Sequence, residues 1–179
     1  VLNFRLNAAP QYPPLLGKDI FINGDGMMHM VRLDNGHADL KTRYVQTDKF
    51  KAERAARRAL FGAYRNTFTD DLSVRGMDGN TANTTAFWHH NKLYALKEAA
   101  RPMLMDPLTL ETKGSWDFNG ALQSKTFTAH PKIDPETGDV IAFAYNTGGR
   151  SARDIEIYWI SAQGEITRTE SFQAPYSFM

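Results

Sequence analysis

His130 is the residue of this chain whose surroundings best suit metal chemistry. It ends a run of β-branched and aromatic residues that begins at Thr126, and Pro131 follows it directly. Proline cannot donate a ladder hydrogen bond, so the pattern predicts a strand that ends at an imidazole on a pinned backbone. This placement favours a metal ligand, since neutral imidazole binds transition metals well. A structural histidine is the alternative that the pattern alone leaves open.

The other four histidines are poorer candidates. His89 and His90 are adjacent on an extended segment, so their side chains point to opposite faces and cannot readily share a metal ion. His29 lies in a predicted strand and His37 near a predicted hairpin, and we interpret both as structural. The chain has no cysteine, which excludes disulfides, thiolate metal sites and cysteine nucleophiles.

Composition excludes further classes of function. The chain has 179 residues, of which 42% are hydrophobic and 23% charged, as is ordinary for a globular domain. A formal net charge of +1 gives no basic field, so we predict no nucleic-acid partner. No apolar run reaches the roughly 20 residues of a transmembrane helix, and no signal peptide is visible at the start. These features favour a cytoplasmic protein. The first residue, Val1, and the last, Met179, both lie in mid-pattern, which indicates truncation at both ends.

Strand and turn signals dominate the chain. Asp34-Asn35-Gly36, between predicted strands at 27–33 and 38–45, is a strong hairpin signal. Further strands are predicted at 81–88, 93–96, 103–105, 110–118, 140–145 and 155–160. One helix is predicted over 48–60, with Asp48 as N-cap and Gly62 just past its end. Its basic residues are predicted to form a solvated face: Lys49, Lys51, Arg54, Arg57 and Arg58.

The spacing of these units predicts the architecture. Strand–turn–strand units recur roughly every 20 residues without long helices between them, which favours four-stranded blades of a propeller. A propeller closes with about 4–8 blades, and this chain could supply about three to four. We therefore expect an all-β, partial β-propeller in a single domain over 1–179, with exposed apolar faces where blades are lacking.

Five segments, in order, resemble the carotenoid cleavage dioxygenase family, also called the carotenoid oxygenase or retinal pigment epithelial membrane protein family. They are residues 20–30 (IFINGDGMMHM), 79–84 (GNTANT), 93–98 (LYALKE), 105–114 (MDPLTLETKG) and 127–138 (FTAHPKIDPETG). The resemblance implies a seven-bladed propeller that holds one non-haem Fe(2+) on four histidines and uses O2.

Within the family, residues 61–66 (FGAYRN) and the pair Lys97-Glu98 resemble the lignostilbene dioxygenase branch. This implies cleavage of the central double bond of a phenolic stilbene into two aromatic aldehydes, with Tyr64 and Lys97 binding the phenolic hydroxyl. Two alternatives stay open. One is cleavage of an apocarotenoid or carotenoid, whose polyene needs no phenol-binding pair, and the other is a propeller fragment without catalytic competence.

The resemblance also assigns roles to single residues. His130 matches the first of the four iron ligands, and the second is expected shortly after Met179, so three ligands lie outside the chain. Glu98 matches a carboxylate that orients another ligand histidine. Thr84 matches a position whose side chain crowds one open site on the iron.

These residue types suit the implied chemistry. A carboxylate that binds a ligand imidazole fixes its tautomer and raises its basicity, as expected of Glu98. A lysine in an apolar pocket can act as base or hydrogen-bond partner for a phenol, and a tyrosine hydroxyl can donate to the developing phenolate. The alternatives are a solvent-facing glutamate at 98, a snorkelling surface lysine at 97 and a partly buried amphipathic tyrosine at 64.

Overall fold

The described residues form three antiparallel sheets. The computed structural model describes residues 2–8, 24–62, 66–149 and 151–177, with the backbone alone for 2–8 and for residue 67. Sheet A contains β1 (Leu2–Ala8), β2 (Gly26–Asp34) and β3 (His37–Tyr44), in that order. Sheet B contains β4 (Thr85–His89), β5 (Lys92–Leu96), β6 (Met103–Met105) and β7 (Thr112–Ser115), also in chain order. Sheet C contains β8 (Lys132–Ile133), β9 (Val140–Tyr145), β10 (Asp154–Ile160) and β11 (Ile166–Gln173), in the order β11-β10-β9-β8.

The sheets pack face to face through two apolar layers, and β5 supplies both. Leu93 and Ala95 pack with Met28 of sheet A, whereas Tyr94 and Leu96 belong to the layer shared with sheet C. This division follows from the period of two along a strand, which sends successive side chains to opposite faces. Sheet B is therefore the middle sheet of the three.

The other face of sheet C carries apolar side chains that no sheet of the described residues covers. Register places Phe143 of β9 opposite Ile157 of β10, and Ile141 opposite Trp159. Phe172 of β11 extends this row. Ile141, Phe143 and Phe172 are exposed, and Ile157 and Trp159 are half-buried. We call these five residues the outer face of sheet C. An apolar face of this kind was expected for an incomplete set of blades.

The prediction of an all-β fold with one short helix is confirmed for the described residues. The hairpin of β2 and β3 turns at Asn35 and Gly36, both with positive φ, as its sequence indicated. The strand predicted over 110–118 is shorter, because Leu110 adopts a left-handed conformation with φ 58° and only Thr112–Ser115 pairs with β6. The strand predicted from residue 81 begins at Thr85, since Ala82 has φ 46° and its N–H binds the Asn80 side chain. Strands β1, β8 and β11 were not predicted.

The α-helix of the described residues, α1 (Asp48–Ala56), differs from its prediction at both ends. Thr47, and not Asp48, is the N-cap, because its hydroxyl accepts the N–H of Phe50 at 3.1 Å. The helix ends at Ala56 because Arg57 is left-handed, with φ 54°. No helix in the described part of the chain has the length and apolar character that crossing a bilayer requires.

The buried side of α1 holds a cluster of charges. Lys49 lies 2.5 Å from Glu53 Oε2 and 3.1 Å from Asp25 Oδ1. Their side chains are only 2%, 1% and 4% exposed, respectively. Glu53 Oε1 also accepts the N–H groups of Leu60 and Phe61, at 2.8 and 3.0 Å. The prediction that Lys49 belongs to a solvated basic face is therefore wrong, because two buried carboxylates neutralise it.

Candidate metal and substrate site

Two of the predicted site residues, Glu98 and His130, lie side by side where sheets B and C meet. Strand β5 ends at Leu96, and Glu98 follows in a turn. Glu98 Oε2 accepts the N–H of Ala129 at 2.9 Å and lies 3.8 Å from His130 Nε2. The hydroxyl of Thr128 lies 3.5 Å from the same carboxylate oxygen. A contact across 31 positions of sequence thus binds the turn after β5 to the segment of His130.

The backbone around His130 is not the strand that its sequence predicted. Residues 126–131, all within the described range, form no ladder, and β8 begins only at Lys132. Side chains bind the backbone here: His130 N–H donates to Thr128 Oγ1 at 2.9 Å, and Thr126 N–H donates to Ser124 Oγ at 3.0 Å. The residues that read as a β run therefore serve as local hydrogen-bond partners. His130 keeps its side chain 62% exposed, open to a ligand.

Buried aromatic rings pack against the segment that contains His130. Phe127, three residues before His130, packs against Phe118 at 5.7 Å and Tyr158 at 6.1 Å between ring centroids. Burial raises the pKa of Tyr94 to about 12. Burial and the hydrogen bond to Glu156 raise the pKa of Tyr158 further above its usual range. Both phenols therefore stay protonated at neutral pH, which makes them packing residues and not bases.

The residues present fit part of an iron site. His130 offers one exposed imidazole, and Glu98 offers a carboxylate whose Oε1 is buried and has no hydrogen-bond partner among the described residues. A buried acceptor of this kind normally has a donor, and a further imidazole N–H would supply one. Within the described ranges, no three histidine, cysteine, aspartate or glutamate side chains converge as a metal site would require. The fit thus extends to one ligand and one orienting carboxylate.

Lys97 and Thr84 lie near the same end of sheet B. Lys97 is half-buried directly after Leu96, whose side chain is buried in the core. Thr84 N–H donates to the carbonyl oxygen of Leu96 at 2.9 Å, which places Thr84 beside the end of β5. The Thr84 side chain is exposed and donates to Asn83 Oδ1 at 3.2 Å. Tyr64 lies outside the described residues, as does the start of the 20–30 motif.

His89, a poor candidate for a metal ligand from its sequence, makes a structural contact. It is buried at the end of β4, and its Nε2 lies 3.0 Å from the carbonyl oxygen of Gly138 in the β8–β9 turn. This hydrogen bond of the His89 side chain joins sheet B to sheet C. Its neighbour His90 lies in the β4–β5 turn with φ 43°, and not on the extended segment that the sequence predicted for both residues.

Sequence comparison decides the family. The sequence model described as retinal pigment epithelial membrane protein matches residues 3–179. The chain belongs to this family. The resemblance stated from the five sequence segments is therefore confirmed.

Several members of the retinal pigment epithelial membrane protein family are close relatives of the chain. It is 47% identical over 175 residues to lignostilbene-alpha,beta-dioxygenase isozyme III of Sphingomonas paucimobilis, which covers 98% of this chain and 36% of that protein. It is 46% identical over 156 residues to isoeugenol monooxygenase of Pseudomonas nitroreducens, with 87% of this chain and 33% of that protein covered. The chain spans about a third of the length of these curated relatives.

Solved structures agree with the fold. The crystal structure of Pseudomonas brassicacearum lignostilbene dioxygenase matches with a TM-score of 0.91 and 47% identity, covering 99% of this chain and 37% of that one. Synechocystis apocarotenoid oxygenase matches with a TM-score of 0.74 at 22% identity, which supports the fold alone. The prediction of antiparallel propeller blades with one short helix is confirmed.

Proposed function

We propose that this chain is part of an iron(II)-dependent dioxygenase that cleaves the central C=C bond of phenolic stilbenes with O2 to give two aromatic aldehydes. The chain would form one partial propeller domain, with the remaining blades and three further histidine ligands supplied by the rest of the full-length protein. The observation that carries this proposal is the Glu98–His130 pair, with Lys97 beside it, in a chain 47% identical to a lignostilbene dioxygenase.

Three of the chain's residues would act on the metal side of the site. His130 would donate an imidazole nitrogen to iron, which supplies the activation of O2 when bound. Glu98 holds the backbone of Ala129 through Oε2 and would hold another ligand imidazole through Oε1. Thr84 would limit the space beside the metal.

On the substrate side, Lys97 and Tyr64 would bind the phenolic hydroxyl. Hydrogen bonds from an ammonium and a phenol stabilise a developing phenolate, and electron density then moves into the conjugated double bond. Lignostilbene, resveratrol and isoeugenol, which name relatives of this chain, are all phenols with a conjugated C=C bond. A phenol-binding pair is therefore the feature that their shared chemistry asks for.

The experiment compares Lys97→Met with unaltered full-length protein on 4-hydroxystilbene and its O-methyl ether. We expect the variant to keep its fold and bound iron and to lose turnover of hydroxystilbene. We also expect the unaltered enzyme to cleave the methyl ether poorly, since each buried polar group left unpaired costs about 1–3 kcal/mol, or roughly five- to 150-fold in kcat/KM.

Lys92→Met is the matched control, because Lys92 begins β5, the strand that Lys97 follows, and its ammonium lies 5.6 Å from the Trp116 ring centroid. Normal cleavage of hydroxystilbene by Lys97→Met, or equal cleavage of the methyl ether, would refute the phenol assignment. Cleavage of an apocarotenoid would then become the leading function. A cytoplasmic location stays a prediction.

A further inference from the structure

Arg101 binds the backbone of the segment that precedes His130. Its Nε donates to the carbonyl oxygen of Ser124 at 2.8 Å. Its Nη2 donates to the carbonyl oxygens of Leu122 and Gln123, at 3.1 and 3.2 Å. One side chain thus satisfies three consecutive backbone acceptors in a region without a strand ladder.

These bonds extend a row of contacts between the Glu98 turn and the His130 segment. Ala99 N–H donates to the carbonyl oxygen of Phe127 at 3.1 Å, and Ala129 N–H donates to Glu98 Oε2 at 2.9 Å. Residues 98–101 therefore run beside residues 122–129, with the three bonds of Arg101 at one end, the Glu98 bond at the other and the Ala99 bond between them. Arg101 makes the bonds farthest from the site, at residues 122–124, of which Leu122 and Ser124 are buried.

The guanidinium group suits this task better than other cations would. It is planar, keeps its charge at all working pH values and presents five N–H donors in a fixed arrangement. Backbone carbonyl oxygens outside a strand ladder need other donors, and the rigid guanidinium supplies several at once. A lysine ammonium at this position has no fixed fork and is expected to reach fewer of the three oxygens.

We propose that Arg101 is a positioning residue that sets the distance between His130 and Glu98 and thereby strengthens metal binding at His130. The three backbone bonds of Arg101, which we call the clamp, fix residues 122–124. Phe127 and Ala129 are then held opposite Ala99 and Glu98, with which they form hydrogen bonds. The part of this inference that concerns metal binding rests on the proposed function.

The test uses full-length protein with Arg101→Met and Arg101→Lys. Arg153→Met is the matched control, because Arg153 also binds backbone, its Nη1 lying 3.4 Å from the carbonyl oxygen of Pro175 at the far edge of sheet C. Iron(II) dissociation constants are measured by competition with a chelator, well below the unfolding temperature of each variant. We expect the constant to rise about tenfold for Arg101→Met, the lower end of the range for residues that orient metal ligands. The rise should be smaller for Arg101→Lys and absent for Arg153→Met.

A second measurement follows the clamp without metal. Hydrogen exchange at the amides of Ala99 and Ala129 in the iron-free protein should be faster in Arg101→Met and unchanged in Arg153→Met. Unchanged exchange, or an iron affinity equal to that of the unaltered protein, would overturn the inference. Arg101→Lys decides the same question if Arg101→Met does not fold. Unaltered protein that binds no iron would refute the proposed function, whereas amide exchange would still test the clamp.

Discussion

Replacement of Lys49 by methionine tests the buried charge cluster of α1 most directly. Methionine fills a similar volume, so the main change is loss of the cation that lies 2.5 Å from Glu53 and 3.1 Å from Asp25. Removing one partner from a buried ion pair typically costs about 3–5 kcal/mol, because the remaining charge is left uncompensated. Here two carboxylates remain, each less than one-twentieth exposed, so we expect a cost within that range and not below it.

The effect should appear where Glu53 binds the backbone. Its Oε1 accepts the amides of Leu60 and Phe61, so these amides report whether the cluster still holds the chain after α1. A loss of 3–5 kcal/mol corresponds to exchange that is roughly 10²- to 10⁴-fold faster at these positions, provided exchange occurs through opening of the cluster. Hydrogen exchange followed by mass spectrometry or NMR measures this change.

Lys51→Met on the same helix is the matched control. Lys51 and Asp48 form a pair at 2.8 Å with side chains 58% and 61% exposed, and such surface pairs contribute about 0–1 kcal/mol. The double variant Lys49→Met, Glu53→Gln should recover part of the protection, because the glutamine oxygen can still accept a backbone N–H without carrying charge. If exchange at Leu60 and Phe61 in Lys49→Met changes less than about tenfold, the reasoning from buried charge is wrong.

Three further predictions concern single groups. His130→Ala in the full-length protein should remove most bound iron, and retention of full iron content by metal analysis would show that His130 is no ligand. Thr47→Ala should cost about 0.5–2 kcal/mol, because the N–H of Phe50 loses its cap, and a smaller change in denaturant unfolding would contradict the assignment. Hydrogen bonds from the backbone N–H groups of Thr109 and Leu108 lower the pKa of Asp106 from 3.8 to about 2. The turn is therefore stabilised at pH values above about 4 and loses this contribution as the pH falls through about 2, and NMR titration of the Thr109 amide should show a midpoint near 2, not near 3.8.

Local patterns predicted most of the sheets. The Asn35-Gly36 turn and the alternation along 140–145 are signals within a few residues, and the structure forms both as expected. The segment 126–130 has the same composition signal but forms no ladder. Its amides bind Thr128, Ser124 and Glu98, and a contact to Glu98 across 31 positions cannot be read from a strand pattern.

The prediction for Lys49 failed for a related reason. Lys49 stands among other basic residues, so the local sequence indicates a solvated face, and only the tertiary position of Asp25 makes its burial possible. The pairing of Glu98 with His130 was inferred from family resemblance, since neither residue type nor spacing brings them together. Arg101 carried no sequence signal, because its partners are backbone carbonyls that any residue could supply.

The outer face of sheet C is expected to determine whether these 179 residues self-associate in solution. Ile141 and Phe143 of β9 and Phe172 of β11 are exposed on either side of β10, and exposed apolar patches of this kind favour self-association. A preparation of these 179 residues by themselves is expected to form larger species as its concentration rises, visible in sedimentation velocity runs. Phe143→Lys would place a charge at the centre of that surface and should shift the material back towards single molecules, giving a practical route to a well-behaved sample.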